Sequence, residues 1–323
     1  MSRYIVRRLL QAIPLMIMVS IVIFFVLRLV PGGPLAVYAR GQVSAETLAQ
    51  IRHKLGLDQP LIVQYGRWLL QAVQGDLGAS FQTGRPVTRE IFDRLGPTVY
   101  LIGSTFLLVL IISILVGVLS AVRQYSLLDI GVTTLTFIGQ ALPVFWVGLM
   151  LILIFFSWVK TPAGRPLLPA SGMYTVGADF NLMDWLSHLL LPMVSLGLGW
   201  VSWYSRYLRS SMLDVVHEDY IRTARAKGLS EFTVIFKHAL KNASIPLVTV
   251  VALDLPVLFG GSLFVEIIFS WPGMGRLFYS AVEHRDYPIL MGTILIIAVL
   301  MVIANLLADI VYAYLDPRIR YES

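Results

Sequence analysis

The stretch Glu218-Asp219-Tyr220-Ile221-Arg222-Thr223-Ala224-Arg225-Ala226-Lys227-Gly228-Leu229 lies inside a polar, basic insert that runs from about Arg209 to Asn242. Apolar runs of membrane length flank it, Leu186–Leu208 before and Ile245–Phe269 after. A segment this charged does not sit in hydrocarbon, and its order excludes a slack connector. Glu218 and Asp219 suit the positive end of a helix dipole, and Arg225 and Lys227 the negative end. Gly228 suits the left-handed conformation that closes a helix. The interval predicts about two turns at ~3.6 residues each. Ser230 then caps a second piece that reaches Leu240, with Phe232, Ile235 and Phe236 on one side and Lys237 and Lys241 near its end. Pro246 falls at the start of the next span, where proline is tolerated.

The rest of the chain supplies more apolar blocks. Of its 323 residues 57% are hydrophobic and 14% charged, against roughly 45–50% and about 25% in soluble domains. A helical crossing takes roughly 20 residues. Six runs qualify: Leu9–Val30, Thr98–Val122, Ile130–Trp158, Leu186–Leu208, Ile245–Phe269 and Ile289–Tyr314. The expected fold is therefore an all-α membrane protein of six transmembrane helices, with no room for a large soluble domain. The first run follows Arg3, Arg7 and Arg8 but exceeds the ~7–15 apolar residues of a signal core, so it reads as a retained span. Cysteine is absent, which excludes a disulfide framework and a thiolate metal site.

The net charge of +6 would raise nucleic acid as a partner for a soluble protein; here its distribution matters more. With both termini inside, Arg123, Arg206, Arg209, Arg222, Arg225, Lys227, Lys237, Lys241, Arg318 and Arg320 join the three N-terminal arginines on the inner side. The two shorter outer loops hold only Lys160, Arg165, Arg276 and Arg285. The first outer loop carries Arg52, Lys54 and Arg67, but loops beyond about 60 residues count little in this rule. The lipid bilayer is the environment, and both termini are expected in the cytoplasm.

Three divisions follow. Residues 1–30 are the N-terminal tail and first span; 31–97 form an outer helical region; 98–323 form a five-helix core that includes the insert at 209–244. In the outer region Pro31-Gly32-Gly33-Pro34 stops the first helix. Ser44 caps an amphipathic segment that Gly56 ends, and Pro60 to Val73 predicts a second, with Tyr65 and Trp68 at headgroup level. In the third span Gly139-Gln140-Ala141-Leu142-Pro143 predicts a kink. After the fifth, Trp271, Pro272, Gly273 and Gly275 predict a tight outer reversal, and Arg276 to His284 a short helix.

Asp254 falls near the middle of the fifth span. A carboxylate at that depth faces a cavity or a partner. It is a candidate for a translocation path, with Gln140, Ser202 and Tyr204 as possible companions; the alternative is a hydrogen-bonded Asp that ties two spans together. The five histidines have no zinc spacing. No Gly-Lys dipeptide occurs, so the phosphate-binding loop for ATP is missing.

A short rigid helix at a bend outside the bilayer can carry displacement from a soluble motor into the spans, which a disordered loop cannot. At that point the residues become familiar. Arg222 to Gly228 resembles the "EAA" loop of ABC importer permeases, whose pattern is Glu-Ala-Ala, three residues, then Gly. Ala224 and Gly228 keep it; Arg222 and Thr223 replace its first two residues, and the distal Leu-Pro is absent. The wider stretch resembles the dipeptide/oligopeptide permease family. It includes Glu218 to Leu229, His238 to Ala243, Gly56-Leu57-Asp58-Gln59-Pro60-Leu61 and Gly75-Asp76-Leu77-Gly78. Phe269 to Gly275, Arg285-Asp286-Tyr287-Pro288 and Asp316 to Arg320 complete it.

That resemblance implies a type I ABC importer permease in a prokaryotic inner membrane. It implies a homologous second permease subunit, two ATPase subunits that bind ATP and Mg, an external solute-binding protein and a peptide substrate. Glu218, Asp219, Tyr220, Arg222, Thr223, Ala224, Arg225, Ala226, Lys227 and Gly228 would form the coupling helix, with the small faces of Ala224 and Ala226 allowing close approach. No cofactor, catalytic residue or nucleic acid is implied for the chain itself. Two alternatives stand beside it: an ion-driven secondary transporter built on Asp254, and a permease of the same kind carrying nickel, glutathione, an opine or a sugar. An intramembrane hydrolase is remote, because Asp254 has no acidic mate at its depth.

Overall fold

The computed structural model describes residues 2–30, 33, 44–54 and 56–315, so most of Pro31 to Pro34, and Asp316 to Arg320, lie outside the described residues. Its elements are helical; among the described residues the only β-type pairings are isolated bridges, Ala79 with Pro86 and Lys160 with Pro166. The helices are α1 (Ser2–Leu29), α2 (Ala45–Lys54), α3 (Leu61–Val73), α4 (Val87–Val122), α5 (Leu127–Ala141) and α6 (Val144–Ile152, prolonged by a π-helical Leu153–Trp158). Next come α7 (Leu182–Val216), α8 (Asp219–Ala226), α9 (Glu231–Thr233), α10 (Leu240–Ile268), α11 (Met274–His284) and α12 (Tyr287–Leu315). Among the described residues five helices are long and apolar enough to cross a membrane, and α5 with α6 makes a sixth candidate, bent by 105°.

That bend corrects the sequence expectation of a kink. Leu142 is extended at ψ 130°, as a residue before proline is driven to be, and Pro143 starts α6 instead of continuing α5. The helix is broken, not curved. Between α9 and α10 the correction runs the other way. The chain passes through a π-helical Val234–Ala239 into α10 without a stop, so Pro246 lies inside a helix rather than at its start. The Asn242 carbonyl thereby loses its usual donor.

The chain divides into two compact units, Met1–Thr98 with Pro272–Leu306, and Val99–Trp271 with Leu307–Ser323. In the first, α3 packs on α1 through aromatic contacts. Phe24 is fully buried, with the Tyr65 and Trp68 rings 5.5 and 5.9 Å away, and Ser20 and Tyr65 hydroxyls lie 2.9 Å apart. Val87 and Ile91 of α4 pack with Met274 and Ala281 of α11 and with Ile289 and Leu290 of α12. Asp286 is 2% exposed and ties the loop before α4 to the start of α12. It accepts from Ser80 Oγ at 2.5 Å, from the Phe81 and Gln82 amides at 3.2 and 3.3 Å, and from Ile289 N at 3.4 Å. On the surface of this unit the His53 ring, 2.6 Å from Asp58, holds that carboxyl below its usual range. Asp93 and Glu90 push the Arg85 guanidinium up.

In the second unit, α7 is the central helix. Gly117 of α4 shows how closely it is approached: a Cβ there would stand 2.9 Å from the Ser205 carbonyl and 3.0 Å from Leu208 Cβ, so only glycine fits. Leu189, Leu191 and Leu196 of α7 pack with Leu101, Val265, Phe269 and the fully buried Trp271.

Asp286→Ala leaves three donors of the 80–82 turn facing a vanished acceptor. The expected cost is roughly 2–4 kcal/mol, read as a lower unfolding temperature and faster tryptic cleavage at Arg85. Asp286→Asn, which keeps one acceptor oxygen, is expected to fall between.

Candidate functional site

Helix α8 was expected as about two turns, and it is eight residues long. Its start is as expected, with extended Glu218 and then Asp219 in the first turn; the Glu218 side chain makes no capping bond. Its end is a full closing motif. Gly228 adopts φ +74°, its amide donates to Arg225 O at 2.9 Å, and the Leu229 amide reaches back to Ala224 O at 3.4 Å. Ser230 then caps α9, accepting from Thr233 N at 3.4 Å.

Two residues decide how α8 sits. Ile221 is fully buried and Ala224 is 7% exposed. They belong to one apolar cluster with Val118 and Ala121 of α4, Tyr204, Leu208 and Met212 of α7, and Val234, Ile235, Ala239 and Ala243 leading into α10. The spacing of three from Ile221 to Ala224 puts both on one helical face. Ala224 therefore does not offer a small outward face, as the sequence suggested: it is the close contact with the protein's own core. Ala226 is exposed, along with Asp219, Tyr220, Arg222, Thr223, Arg225, Lys227 and Gly228.

Polar bonds lock the same posture. Arg225 Nε donates to Glu231 Oε1 at 2.9 Å, joining α8 to α9. Asn242 Nδ2 donates to the Tyr220 hydroxyl at 2.8 Å, joining α8 to α10. Arg222 pairs with Asp219 at 2.6 Å along one turn, an exposed bond of small worth.

Beside α8 the second helical piece is rotated from its expected face. Val234, Ile235 and Ala239 are buried, whereas Phe232 is 72% and Phe236 39% exposed. The two phenyl rings stack on each other with centroids 4.6 Å apart. The exposed surface is thus a cationic rod flanked by an aromatic pair.

A clamp unread in the sequence stands nearby. Arg209 of α7 grips Asp129 of α5 with both prongs, Nε to Oδ1 at 2.8 Å and Nη2 to Oδ2 at 2.7 Å. Ser120 of α4 donates to the same carboxylate, and the Tyr125 amide donates to Oδ2 at 3.0 Å. Tyr125 itself is in the left-handed region, at φ 62°. A buried carboxylate so surrounded is strongly destabilised by losing its cation. The signal was present: a single acid just inside an apolar run needs a partner.

The four candidates for a translocation path fall into two pairs, with Arg206 joining Ser202 to Gln140 by donating to the Ser202 carbonyl at 3.1 Å and to the Gln140 side-chain oxygen. Ser202 is 1% exposed and donates to Leu198 O at 2.9 Å; Gln140 is exposed and accepts from Arg206. None of the four lines the groove of about 540 Å³ that runs past Trp203, Tyr207, Asp214 and Pro246. Tyr204 and Asp254 do belong together: the Tyr204 hydroxyl and Asp254 Oδ2 are both buried, interact, and lack a fully formed hydrogen bond. At the reversal after α10, the left-handed residue is Ser270 at φ 49°, not a glycine. Trp271 is fully buried, its amide donates to Glu266 O at 2.8 Å, and it is followed by Pro272. Gly273 precedes α11 as its cap, and Gly275 lies within it.

Comparison with known proteins places this geometry. A family model described as binding-protein-dependent transport system inner membrane component matches residues 113–321, and a companion N-terminal model matches residues 1–102. The chain is 44% identical to the oligopeptide transport system permease protein AppB of Bacillus subtilis, over 99% of this chain and 100% of that one. It is 39% identical to the dipeptide transport system permease protein DppB of Alkalihalophilus pseudofirmus, over 99% and 100%. In fold it is similar to a chain of the MetNI methionine ABC transporter in an inward-facing crystal form. That match has TM-score 0.52 and 18% identity, and covers 70% of this chain and 96% of that one. With five long apolar helices and a broken sixth among the described residues, and a capped basic helix packed against α4, α7 and α10, the chain belongs to the family of binding-protein-dependent transport system inner membrane components.

Proposed function

We propose that this chain is one membrane-spanning half of an ATP-driven importer of short peptides. In this reading α8 is the coupling helix that receives the stroke of an ATPase subunit. The observation that carries it is the seating of α8. A helix of eight residues is too short to be stable alone, yet here Ile221 and Ala224 fasten it to α4, α7 and α10. Its charged face is left free beside the stacked Phe232 and Phe236. The names of relatives similar over the full chain favour peptides as the cargo.

The remaining assembly follows from that role. A homologous second permease subunit completes the path, two ATPase subunits bind ATP and Mg, and an external solute-binding protein delivers the cargo. The excess of Lys and Arg around α8 and at the chain ends puts both termini in the cytoplasm of a prokaryote, with α2 and α3 outside. Residues 1–30, 31–97 and 98–323 then act as entry span, outer collar and core. Trp271, Pro272, Gly273 and Gly275 shape the outer gate. Along the path, Asp254 is the carboxylate that meets the peptide's amino end, with the buried Tyr204 hydroxyl behind it, and Gln140 and Ser202 line the same path.

Two substitutions test this reading in membrane vesicles with all subunits present. Gly228→Asp puts a side chain at φ +74° and a negative charge on the basic rod. Peptide uptake is expected to fall at least about tenfold, together with loss of cargo-stimulated ATP hydrolysis; a cost of about 1.4 kcal/mol in docking suffices for that factor. Full uptake by this variant contradicts the assignment of α8. Asp254→Asn is expected to leave basal ATP hydrolysis intact while raising the peptide concentration for half-maximal uptake. Uptake that follows an imposed proton gradient without ATP would instead favour a secondary transporter.

A further inference from the structure

The first unit contains a cavity of about 520 Å³ among the end of α1, α2, α3 and the start of α12. Three cations line it, Arg28, Lys54 and Arg67, and no carboxylate does. Arg28 is held by the Gln64 side-chain amide oxygen and lies 4.8 Å over the Phe24 ring. Neither Lys54 nor Arg67 has an acidic partner among the described residues. The nearby acids are engaged: Asp58 by His53, Asp286 by the 80–82 turn, and Asp76 by the Gly78 amide.

Tyr287 is the second, independent observation. It lines the cavity and is only 4% exposed, yet among the described residues its hydroxyl has no hydrogen-bond partner. Burying such a group unpaired costs about 1–3 kcal/mol. A donor left unpaired beside three cations asks for an anionic oxygen.

Position narrows the anion. Arg28 stands in the last turn of α1 and Tyr287 is the first residue of α12, so the cavity opens where two candidate spans end. Trp68 lines it, an aromatic of the kind that settles at headgroup level. The remaining wall includes Leu57 and Met291, apolar enough to take a glycerol backbone. We propose that this cavity binds the phosphate of an anionic phospholipid headgroup, with Arg67, Lys54 and Arg28 as its cations and the Tyr287 hydroxyl as its buried donor. Such a lipid would pin α2 and α3 to the first and last spans, and so set the posture of the outer collar. Basic pockets between spans on the cytoplasmic side bind anionic headgroups, and the same cation–phosphate pairing serves at the outer end of a span.

The test uses the full chain with its co-purifying subunits, stripped of lipid in detergent. Phosphatidylglycerol, phosphatidylcholine and inorganic phosphate are added separately. Retained lipid is read by native mass spectrometry and the unfolding midpoint by heat. Phosphatidylglycerol is expected to be retained and to raise the midpoint by a few degrees. Lys54→Gln with Arg67→Gln is expected to weaken that retention at least about tenfold. Tyr287→Phe, which keeps the ring, weakens it less, and Lys54→Arg with Arg67→Lys restores it. Both charge positions are exposed, so these variants fold. Equal protection by phosphatidylcholine, or by inorganic phosphate alone, overturns the lipid assignment, as does undiminished retention in the double glutamine variant.

Discussion

Everything that makes this chain more than a bundle of apolar helices depends on a small buried contact, Ile221 and Ala224 pressed into the ends of α4, α7 and α10. Without it, an eight-residue cationic helix has no reason to hold its shape in water. With it, α8 is fastened to three long helices at once, as the proposed coupling role requires. A fully buried isoleucine contributes about 1.5–3 kcal/mol of transfer free energy. That exceeds the surface ion pairs on the same helix, such as Arg222 with Asp219, each worth about 0–1 kcal/mol. Apolar packing therefore fastens α8, and the Arg225–Glu231 and Asn242–Tyr220 bonds orient it.

A second constraint works across the same region. The bidentate Arg209–Asp129 pair links α7 to α5, and Ser120 of α4 donates into it. In a low-dielectric setting such a pair does little for net stability but is costly to break, which makes it a registry device. Together with the approach of Gly117 to the Ser205 backbone, it fixes how α4, α5 and α7 can slide. If α8 is the coupling helix proposed above, a push on it would move these packed helices as a body, because close-packed interiors transmit displacement instead of absorbing it.

The amino-acid sequence alone showed much of this. Runs of membrane length, the capping chemistry of Asp219, Gly228 and Ser230, and the turn glycine Gly56 were legible because each rests on local physics. What stayed hidden depends on helix phase and on partners distant in sequence. The side of α8 that Ala224 occupies is set by packing on the core, and Phe232 and Phe236 flank and enter a π-helical turn over Val234–Ala239 that no local pattern announces. The grip of Arg209 on Asp129 joins residues eighty positions apart. From sequence alone Pro143 predicts a kink and Pro246 a position at the start of its span. One breaks its helix and the other is carried inside one, because tertiary packing decides whether the freed carbonyl and the bent chain find room. The four path candidates come together in two pairs: Tyr204 with Asp254 where α7 packs on α10, and Ser202 with Gln140 through Arg206 where α7 meets α5.

The most direct test asks whether α8 is fixed to the spans beneath it while the transporter works. The chain has no cysteine, so Arg222→Cys with Arg123→Cys accepts two spin labels without background. Pulsed electron spin resonance on the assembled complex, with and without nucleotide and cargo, measures the distance between α8 and the end of α4. A rigid seat gives one narrow distance that stays constant through the cycle. A broad distribution, or a shift as large as a helical turn of ~5.4 Å, would mean that α8 swings free of its core and cannot carry the stroke.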